Sequence, residues 1–533
     1  MLTRRALLRS GALASGALAF GPGFYRSAFA QAPAKAGPGP YGAVGAADAN
    51  GVGLPAGFRS RVIARGGETV PGTNYLWHTF TDGQATFPTT DGGWILVCNS
   101  EVPMPAAGGA SSITFDRTGK IVGARRILGQ TRTNCAGGPT PWGTWISCEE
   151  HADGLAWECD PTGERDPVAH GAMGTFAHES ICVDPAGERI YQTEDVPDGC
   201  FYRFTPNDYP DLGLGLLEVA VVASDGKVTW KLVPRPNETD PGTRNQVPGA
   251  TRFSGGEGTW FDSGFVFFTT KGDKKVWAYD TVDETLEVVY DAAKAGPDSA
   301  LQSVDNVCVH RSGDIFVCED GDNLEICIIT PDRQVAPFLR MDPALHAGIP
   351  ILGNETVGVT FDPSGQRMYF GVQRTNGRGV VLEVTGPFRA NAGPPAGLRA
   401  GTAVLAPTGE GRLTSADRVA PGVRLRHARS ISATNLARRG LALTFEVTEP
   451  AKVDIKLSGG RTLATRSTTV AVRGRVRLRV KPGKKTAAAL RKRKKALRAQ
   501  LTVTVTDRAG NRRVVRRRVT IRPAARRRTR GRR

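Results

Sequence analysis

Three features are scarce in this 533-residue sequence, and each scarcity narrows the structural class. After residue 30, no stretch approaches the roughly 20 apolar residues that span a bilayer, so we expect a mature chain that is soluble or associated with a cell wall. Helical periodicity is nearly absent between residues 58 and 387, which indicates strands. Acidic residues are rare after residue 400, where 6 of them face 37 lysines and arginines.

The charge of the chain changes sign along its length. Residues 401–533 carry a net charge of +31, whereas the first 400 residues hold 45 acidic and 33 basic residues, a net charge of −12. Many carboxylates suit hard cations such as calcium, and a strongly basic segment suits anionic polymers. A chain of this length exceeds the size of one hydrophobic core, so we expect at least two domains.

The first thirty residues have the layout of a signal peptide. Arg4 and Arg5 precede an acid-free run, rich in Ala, Leu and Gly, that extends to about Phe20, and a small-residue stretch predicts cleavage after Ala30. The arginine pair resembles a twin-arginine (Tat) signal, the export route of folded proteins, with an ordinary Sec signal as the alternative. We therefore expect a protein that is secreted or associated with the cell wall after Tat export.

Composition divides the remaining chain into five segments. They are an Ala/Gly/Pro-rich linker or extended wrap at 31–57, a strand-rich domain at 58–387, a second linker at 388–423, a basic strand-rich domain at 424–522 and a cationic tail, expected to be disordered, at 523–533. The two strand-rich segments are the expected domains.

One short sequence motif recurs in the first of these domains. An apolar strand runs into an Asp-x-x-Gly turn at 113–119, 181–187 and 359–365, and into a His-x-x-Gly turn at 307–313. Such a strand, turn and strand, repeated irregularly at intervals of roughly 50 to 70 residues, is the hairpin of a propeller blade with insertions between blades. We therefore predict an all-β chain that begins with a β-propeller, and an array of β-sandwiches is the alternative.

The densest set of reactive side chains lies between Asn134 and Glu150. Cys135 opens a loop of Gly and Pro, and a strand then delivers the adjacent carboxylates Glu149 and Glu150. Adjacent strand residues point to opposite faces, so only one of these two faces a propeller channel. A soft thiolate beside hard carboxylates favours a transition metal such as iron next to calcium. For Cys135, metal ligand and disulfide partner are both open, because the chain holds nine cysteines.

This segment resembles the signature of the PhoX family of Tat-exported alkaline phosphatases, and the resemblance extends through most of residues 60–375. It implies a six-bladed β-propeller with a mixed cofactor of Fe³⁺ and Ca²⁺ that hydrolyses phosphate monoesters. The metal ligands that it implies are Glu101, Cys135, Glu149 or Glu150, Glu179, Asp195, Glu257, Asp305, Glu319 and Asp320. The catalytic residues that it implies are Cys135, Glu179, Glu257 and Asn306.

Two positions depart from the family's pattern. Ser100 replaces a histidine, and Gly255 stands where the family carries an arginine two positions before Glu257. An arginine there would bind the substrate phosphate. Arg252 and Lys271 are the nearby residues that can substitute for it, and the chain is interpreted as a divergent member.

The basic domain is predicted to be an immunoglobulin-like β-sandwich of about six or seven strands. Its arginines alternate along strands, as at Arg473, Arg475, Arg477 and Arg479, without interleaved aromatic residues or a nucleic-acid motif. We expect anionic cell-wall polymers or lipid headgroups as its partners, rather than a specific nucleic acid, and we expect the protein to be a monomer.

The sequence thus predicts an exported hydrolase that acts on small phosphate esters at an iron and calcium site in the propeller channel. Two alternatives stay open. A calcium-dependent propeller esterase or lactonase has similar acidic ligands but no use for a thiolate. A non-catalytic, wall-associated propeller would keep the cluster as structural calcium, and the missing arginine and the basic domain favour that alternative.

Overall fold

The computed structural model of the protein describes residues 32–296, 299–321, 323–350, 352–389, 423–427, 430–447, 451–459, 462–470, 474–507 and 512–523. The chain divides into two compact units, residues 1–399 and residues 400–533. The predicted signal peptide and most of the second linker and the tail lie outside the described residues. No helix among the described residues is long and apolar enough to cross a membrane.

Strands are the main regular secondary structure in the described part of the first unit. In chain order they are β1 (Lys35–Ala36), β2 (Val52–Gly53), β3 (Arg59–Arg65), β4 (Thr81–Pro88), β5 (Trp94–Ser100), β6 (Gly108–Phe115), β7 (Ile121–Thr131), β8 (Asn134–Pro139), β9 (Trp145–Glu149), β10 (Ala156–Cys159), β11 (Val168–Ala169), β12 (His178–Asp184), β13 (Arg189–Glu194), β14 (Phe201–Asp208), β15 (Asp211–Val222), β16 (Val228–Leu232), β17 (Gly256–Asp262), β18 (Phe265–Thr270), β19 (Lys275–Asp280), β20 (Thr285–Asp291), β21 (Val307–Val309), β22 (Ile315–Cys318), β23 (Glu325–Ile329), β24 (Gln334–Met341), β25 (Thr356–Phe361), β26 (Arg367–Val372) and β27 (Val380–Thr385). The short helix α1 (Ala292–Ala295) and 3₁₀ turns at Gly171–Met173, Thr243–Asn245 and Thr375–Gly377 interrupt them.

From β4 onward, the strands form six sheets in which neighbours in sequence are neighbours in space. The sheets are β4–β7, β8–β11, β12–β16, β17–β20, β21–β24 and β25–β27 with β3. The first strands of the sheets contact one another in the ring order β4, β8, β12, β17, β21, β25 and back to β4. This closed ring confirms the predicted six-bladed β-propeller.

The sixth blade takes its outer strand from the beginning of the domain. Residues Arg59–Arg65 of β3 pair antiparallel with Val380–Thr385 of β27, which joins the two ends of the ring. The described part of 31–57 is an extended wrap, because β1 pairs parallel and β2 antiparallel with β24 at the edge of the fifth blade.

Aromatic rings between neighbouring blades fill much of the core. Phe201 of the third blade and Phe268 of the fourth stack with ring centroids 4.4 Å apart. The recurring turns fix the hairpins, since Oδ1 of Asp116 accepts hydrogen bonds from the backbone N–H of Thr118 and Lys120. Capping of this kind explains the aspartates of the turns without a role in chemistry.

The second unit consists of two sheets around a separate core. Its elements are β28 (Val423–His427), β29 (Ser430–Ser432), α2 (Ala433–Arg439), β30 (Leu441–Val447), β31 (Ala451–Ser458), β32 (Thr462–Val470), β33 (Gly474–Val480), α3 (Lys484–Arg491), β34 (Leu497–Asp507) and β35 (Arg512–Arg522). One sheet has the order β28-β30-β33 and the other the order β29-β35-β34-β31-β32, and buried residues of both, such as Leu443 and Val503, share one cluster. Two sheets around one core agree with a sandwich, and its immunoglobulin-like class stays a prediction.

Candidate metal centre

The first strand of five blades carries a β-bulge near its start. In β4 the regular pairing jumps from Thr81 to Gln84, and β8, β12, β17 and β25 contain similar interruptions. A bulge takes residues out of the ladder and changes the direction of a side chain. The residues two positions before the pairing resumes are Asp82, Cys135, Glu179, Glu257 and Gly358. Asp305 holds the matching position ahead of β21.

A second set of polar residues follows the second strand of each blade. They come directly after the last residue of the strand, except in the fifth blade, where one residue intervenes. They are Glu101, Glu150, Asp195, Lys271, Asp320 and Gln373. An antiparallel pair places the end of the second strand beside the start of the first, so both sets belong to one end of the ring.

Donor atoms of seven residues form three overlapping groups at this end, which we call the acidic cluster. The groups are Asp82, Glu101 and Cys135; Cys135, Glu150 and Glu179; and Glu179, Glu257 and Asp305. Within each group, one donor atom per residue lies within 4.8 Å of the others. Because Cys135 and Glu179 each belong to two groups, the cluster is continuous across five blades.

Burial shifts the proton affinities of the whole cluster. It raises the pKa of Asp82 to about 6, and burial together with the nearby Asp82 raises the pKa of Glu101 to about 7. Burial, reinforced by neighbouring carboxylates, raises the pKa values well above the usual range for Glu150, Glu179, Glu257 and Asp305. Burial and the same carboxylates raise the pKa of the Cys135 thiol. These groups therefore ionise together only in the presence of compensating positive charge.

Glu179 shows most directly that the cluster fits metal ions. Its side chain is fully buried, and neither carboxylate oxygen has a hydrogen-bond partner among the described residues. A buried carboxylate without a partner is costly, so such a position is well suited to a cation. Carboxylate oxygens suit calcium, and the thiolate of Cys135 suits a softer transition metal. The donor set therefore fits a mixed metal centre.

Two basic residues and one amide border the acidic cluster. The Nζ atom of Lys271 lies 2.6 Å from Oδ2 of Asp195 and 2.7 Å from Oε1 of Glu257. Burial alone would lower the pKa of Lys271, but the two carboxylates outweigh it and raise the pKa. On another blade, Arg374 pairs with Glu355 at 2.6 Å and with Glu101 at 3.4 Å, and Gln373 donates to Glu101 and Asp82.

Of the two basic residues that sequence reasoning offered in place of the missing arginine, only Lys271 reaches the acidic cluster. The guanidinium of Arg252 donates to the backbone oxygen of Asp198 at 3.0 Å and to Oδ1 of Asn245 at 3.1 Å, and its side chain is exposed. At 39% exposure, the side chain of Lys271 is also accessible to a substrate from solvent.

Two predicted ligands lie away from the acidic cluster. Glu149 accepts a hydrogen bond from Nε1 of Trp157 at 2.9 Å and bonds from two backbone N–H groups, so Glu150 is the member of the pair that faces the site. Glu319 accepts bonds from the backbone of Gln302 and Ser303 and belongs to a different group, with Glu325 and Cys327. The structure therefore places neither carboxylate in the cluster that holds Cys135.

The other predicted residues border the site. Asn306 donates to Oδ1 of Asp305 at 2.9 Å and accepts from the backbone N–H of Gly358, so it holds the fifth and sixth blades together. Asp195 is linked to the site through its ion pair with Lys271, and Asp320 forms a β-bridge with Glu355. All nine cysteines are buried and free, so Cys135 has no disulfide partner in this structure.

Sequence reasoning missed four residues of the site: Asp82, Glu355, Gln373 and Arg374. Asp82 precedes Gly83 and looks like a turn residue, and Glu355 precedes a strand without a motif around it. The signal that identifies Asp82 is positional, because it stands two residues before the regular pairing of its blade, as Cys135 and Glu179 do. A blade-by-blade alignment is needed to see it.

Comparison with known proteins gives one family match. The sequence profile of the PhoX alkaline phosphatases matches residues 101–165 and 151–376, which together span more than half of the chain. The solved structure of Pseudomonas fluorescens PhoX in complex with vanadate, a transition state analogue, is similar at 16% sequence identity and a TM-score of 0.54, over 66% of this chain and 98% of that chain. A putative 6-phosphogluconolactonase from Bacteroides uniformis is similar at 15% identity and a TM-score of 0.33, over 56% of this chain and 88% of its own. A search of curated proteins gives no match.

Proposed function

Because this chain belongs to the PhoX family of alkaline phosphatases, we propose that it is an exported phosphatase that hydrolyses phosphate esters at the acidic cluster, with calcium and iron as its metals. The observation that carries the proposal is the convergence of six carboxylates and one thiol from five blades on one end of the propeller ring. A structural role alone does not require a fully buried, unpartnered Glu179 at the centre of such a group.

The seven residues of the acidic cluster would hold the metals. The thiolate of Cys135 is the natural ligand for iron, and the carboxylates around it are natural ligands for calcium. Bound metal ions supply the positive charge that stabilises phosphate oxygens as negative charge develops on them.

The residues of the chain itself bind and orient the substrate. Lys271 takes the role of the arginine missing at Gly255, since its ammonium group lies at the edge of the cluster and its side chain is 39% exposed. Arg374 is more buried, at 16% exposure, and is held by Glu355 and Glu101, so it orients these carboxylates. Asn306 fixes the position of Asp305 through its hydrogen bond.

The experiment that tests the proposal combines metal analysis with hydrolysis of chromogenic phosphate mono- and diesters. We expect the purified protein to contain iron and calcium, and we expect Cys135→Ala to lose iron together with at least about 100-fold in kcat/KM, as removal of a principal catalytic group does. Cys182→Ala is the matched control, because Cys182 is a buried cysteine of β12 in an apolar cluster of the core. Iron without phosphoesterase activity would contradict the proposal, and calcium without iron would favour a lactonase.

Export completes the proposal. Arg4, Arg5 and the apolar run behind them support passage through the Tat route, which suits a protein that loads its metals before it crosses the membrane. Replacement of both arginines by lysine should retain the protein in the cytoplasm. Secretion of the variant at the normal level would contradict this part.

A further inference from the structure

The outward face of the five-stranded sheet in the second unit is strongly basic. In β34 and β31 the side chains of Leu501, Val503, Val453 and Ile455 are buried in the core, so the residues between them point to the other side of the sheet. The same alternation in β35, where Val519 and Ile521 are buried, turns the even-numbered residues outward. The basic residues of this outward face, all exposed, are Lys452, Lys456, Arg498, Arg512, Arg516, Arg518 and Arg522.

The strand register arranges these residues in lines. Arg516 lies opposite Thr502, which lies opposite Lys456, and Arg512 lies opposite Thr506, which lies opposite Lys452. Along β35, the arginines at positions 512, 516, 518 and 522 extend over about 33 Å at the usual rise of a strand. Asp454 is the one acidic side chain on this face among the described residues. Extended rows of cations, separated by hydroxyl groups, therefore cover the face.

The residue types on this face exclude several kinds of partner. No aromatic residue follows Phe445 in the sequence, so the face offers no ring for stacking on bases or sugars. Val514, at 40% exposure, is its one exposed large apolar residue among those described, so it lacks the apolar groups that insert into a lipid bilayer. Guanidinium groups, by contrast, match phosphate oxygens through paired hydrogen bonds.

We propose that the outward face binds a linear polymer of phosphodiester groups that carries no bases. The polymer lies along the row of arginines on β35, and its phosphates contact Arg512, Arg516, Arg518 and Arg522. Affinity depends on the phosphates alone, because neither bases nor sugar rings have a partner on the face. Binding therefore weakens steeply with salt.

The test uses the full-length protein and fluorescently labelled poly(glycerol phosphate) of defined length, with binding measured by anisotropy between about 50 and 200 mM salt, where phosphate contacts are most salt-sensitive. The first variant carries Arg512→Gln, Arg516→Gln, Arg518→Gln and Arg522→Gln. The control carries Lys484→Gln, Lys485→Gln, Lys494→Gln and Lys495→Gln, which removes the same charge from exposed positions outside the face. We expect the first variant to lose at least about tenfold more affinity than the control and to show a shallower salt dependence.

Three outcomes would overturn the proposal. They are equal losses in both variants, tighter binding to vesicles of anionic lipid at the same phosphate concentration, and tighter binding to single-stranded DNA of equal charge. If the fourfold variant has a lower melting temperature than the control, the double variant Arg516→Gln and Arg518→Gln replaces it. Its control is the double variant Lys494→Gln and Lys495→Gln. We expect the arginine variant to lose at least about threefold more affinity for the polymer than this control.

Discussion

Gly255 and Lys271 lie against each other at the edge of the acidic cluster, and a Cβ atom added to Gly255 would lie 2.9 Å from Cγ of Lys271. Gly255 also has a φ of +64°, a conformation that other residues rarely adopt. A long side chain at position 255 is therefore incompatible with the present position of Lys271. The glycine that replaces the expected arginine is the residue that lets Lys271 reach Asp195 and Glu257.

Replacement of Lys271 by glutamine should reduce kcat/KM about 10- to 100-fold, because the substrate phosphate loses a charged hydrogen bond worth about 1.5–3 kcal/mol. Lys271→Arg should retain more activity than Lys271→Gln, since it keeps the charge. Steady-state kinetics with a chromogenic ester measure the loss, and elemental analysis shows whether the metals stay bound. Arg252→Gln is the control, because Arg252 is bound to Asp198 and Asn245 outside the cluster. Equal kinetics for Lys271→Gln and Arg252→Gln would exclude this role.

Gly255→Ala should lower activity by displacing Lys271. Gly249→Ala is a matched control, because Gly249 has a φ of +79° and a Cβ atom there would meet nothing within 4 Å. Both variants carry the cost of a left-handed alanine, roughly 1–2 kcal/mol, so any further loss of melting temperature in Gly255→Ala comes from the displaced ion pairs of Lys271. Only Gly255→Ala should reduce kcat/KM. Equal activity of Gly255→Ala and Gly249→Ala would show that the contact between Gly255 and Lys271 does not affect catalysis.

The sequence allowed prediction of the blades but not of every ligand. The Asp-x-x-Gly motif depends on local turn chemistry, so it can be identified from the sequence without knowledge of the fold. Strand alternation likewise predicted that one of Glu149 and Glu150 faces the site, and the structure selects Glu150. Asp82 was missed because its direction depends on a β-bulge, which exists only once β4 and β5 have paired. Glu319 lies in a different group of possible ligands, with Glu325 and Cys327, and its position depends on hydrogen bonds from a loop 16 and 17 residues upstream.

The effect of Glu179→Gln on stability should change sign when the metals are removed. With metals bound, the variant lacks a central ligand, so the wild-type protein should have the higher melting temperature. After chelation, burial forces Glu179 of the wild-type protein either to take up a proton or to remain as an unpaired charge, whereas the amide needs neither, so the variant should be more stable by about 1–3 kcal/mol. Calorimetry with and without a chelator measures both differences. A wild-type protein that stays more stable in both states would contradict a metal role for Glu179.

Glu158 and His170 form a buried pair within the second blade and its following loop. Oε2 of Glu158 lies 2.9 Å from Nε2 of His170, and Oε1 accepts hydrogen bonds from Nε1 of Trp142 and Oγ1 of Thr144. Burial would raise the pKa of Glu158, but these hydrogen bonds outweigh it and lower the pKa to about 2. The carboxylate is therefore more acidic in the folded chain than its ordinary value of 4.5.

The lowered pKa fixes the sign of the pH dependence that Glu158 contributes. Its stabilisation is fully present above about pH 5 and is lost as the pH falls towards 2, because the unfolded chain takes up the proton first. Glu158→Gln should therefore cost about 2–3 kcal/mol at pH 7, and the difference from wild type should shrink steadily below pH 5.

Urea denaturation measures this difference when it is monitored by tryptophan fluorescence. The signal reports on the first unit alone, since all eight tryptophans lie before residue 278. Glu238→Gln, in an exposed pair with Arg235, should change stability by less than about 1 kcal/mol at any pH. A difference for Glu158→Gln that stays constant from pH 7 to pH 3 would refute the lowered pKa.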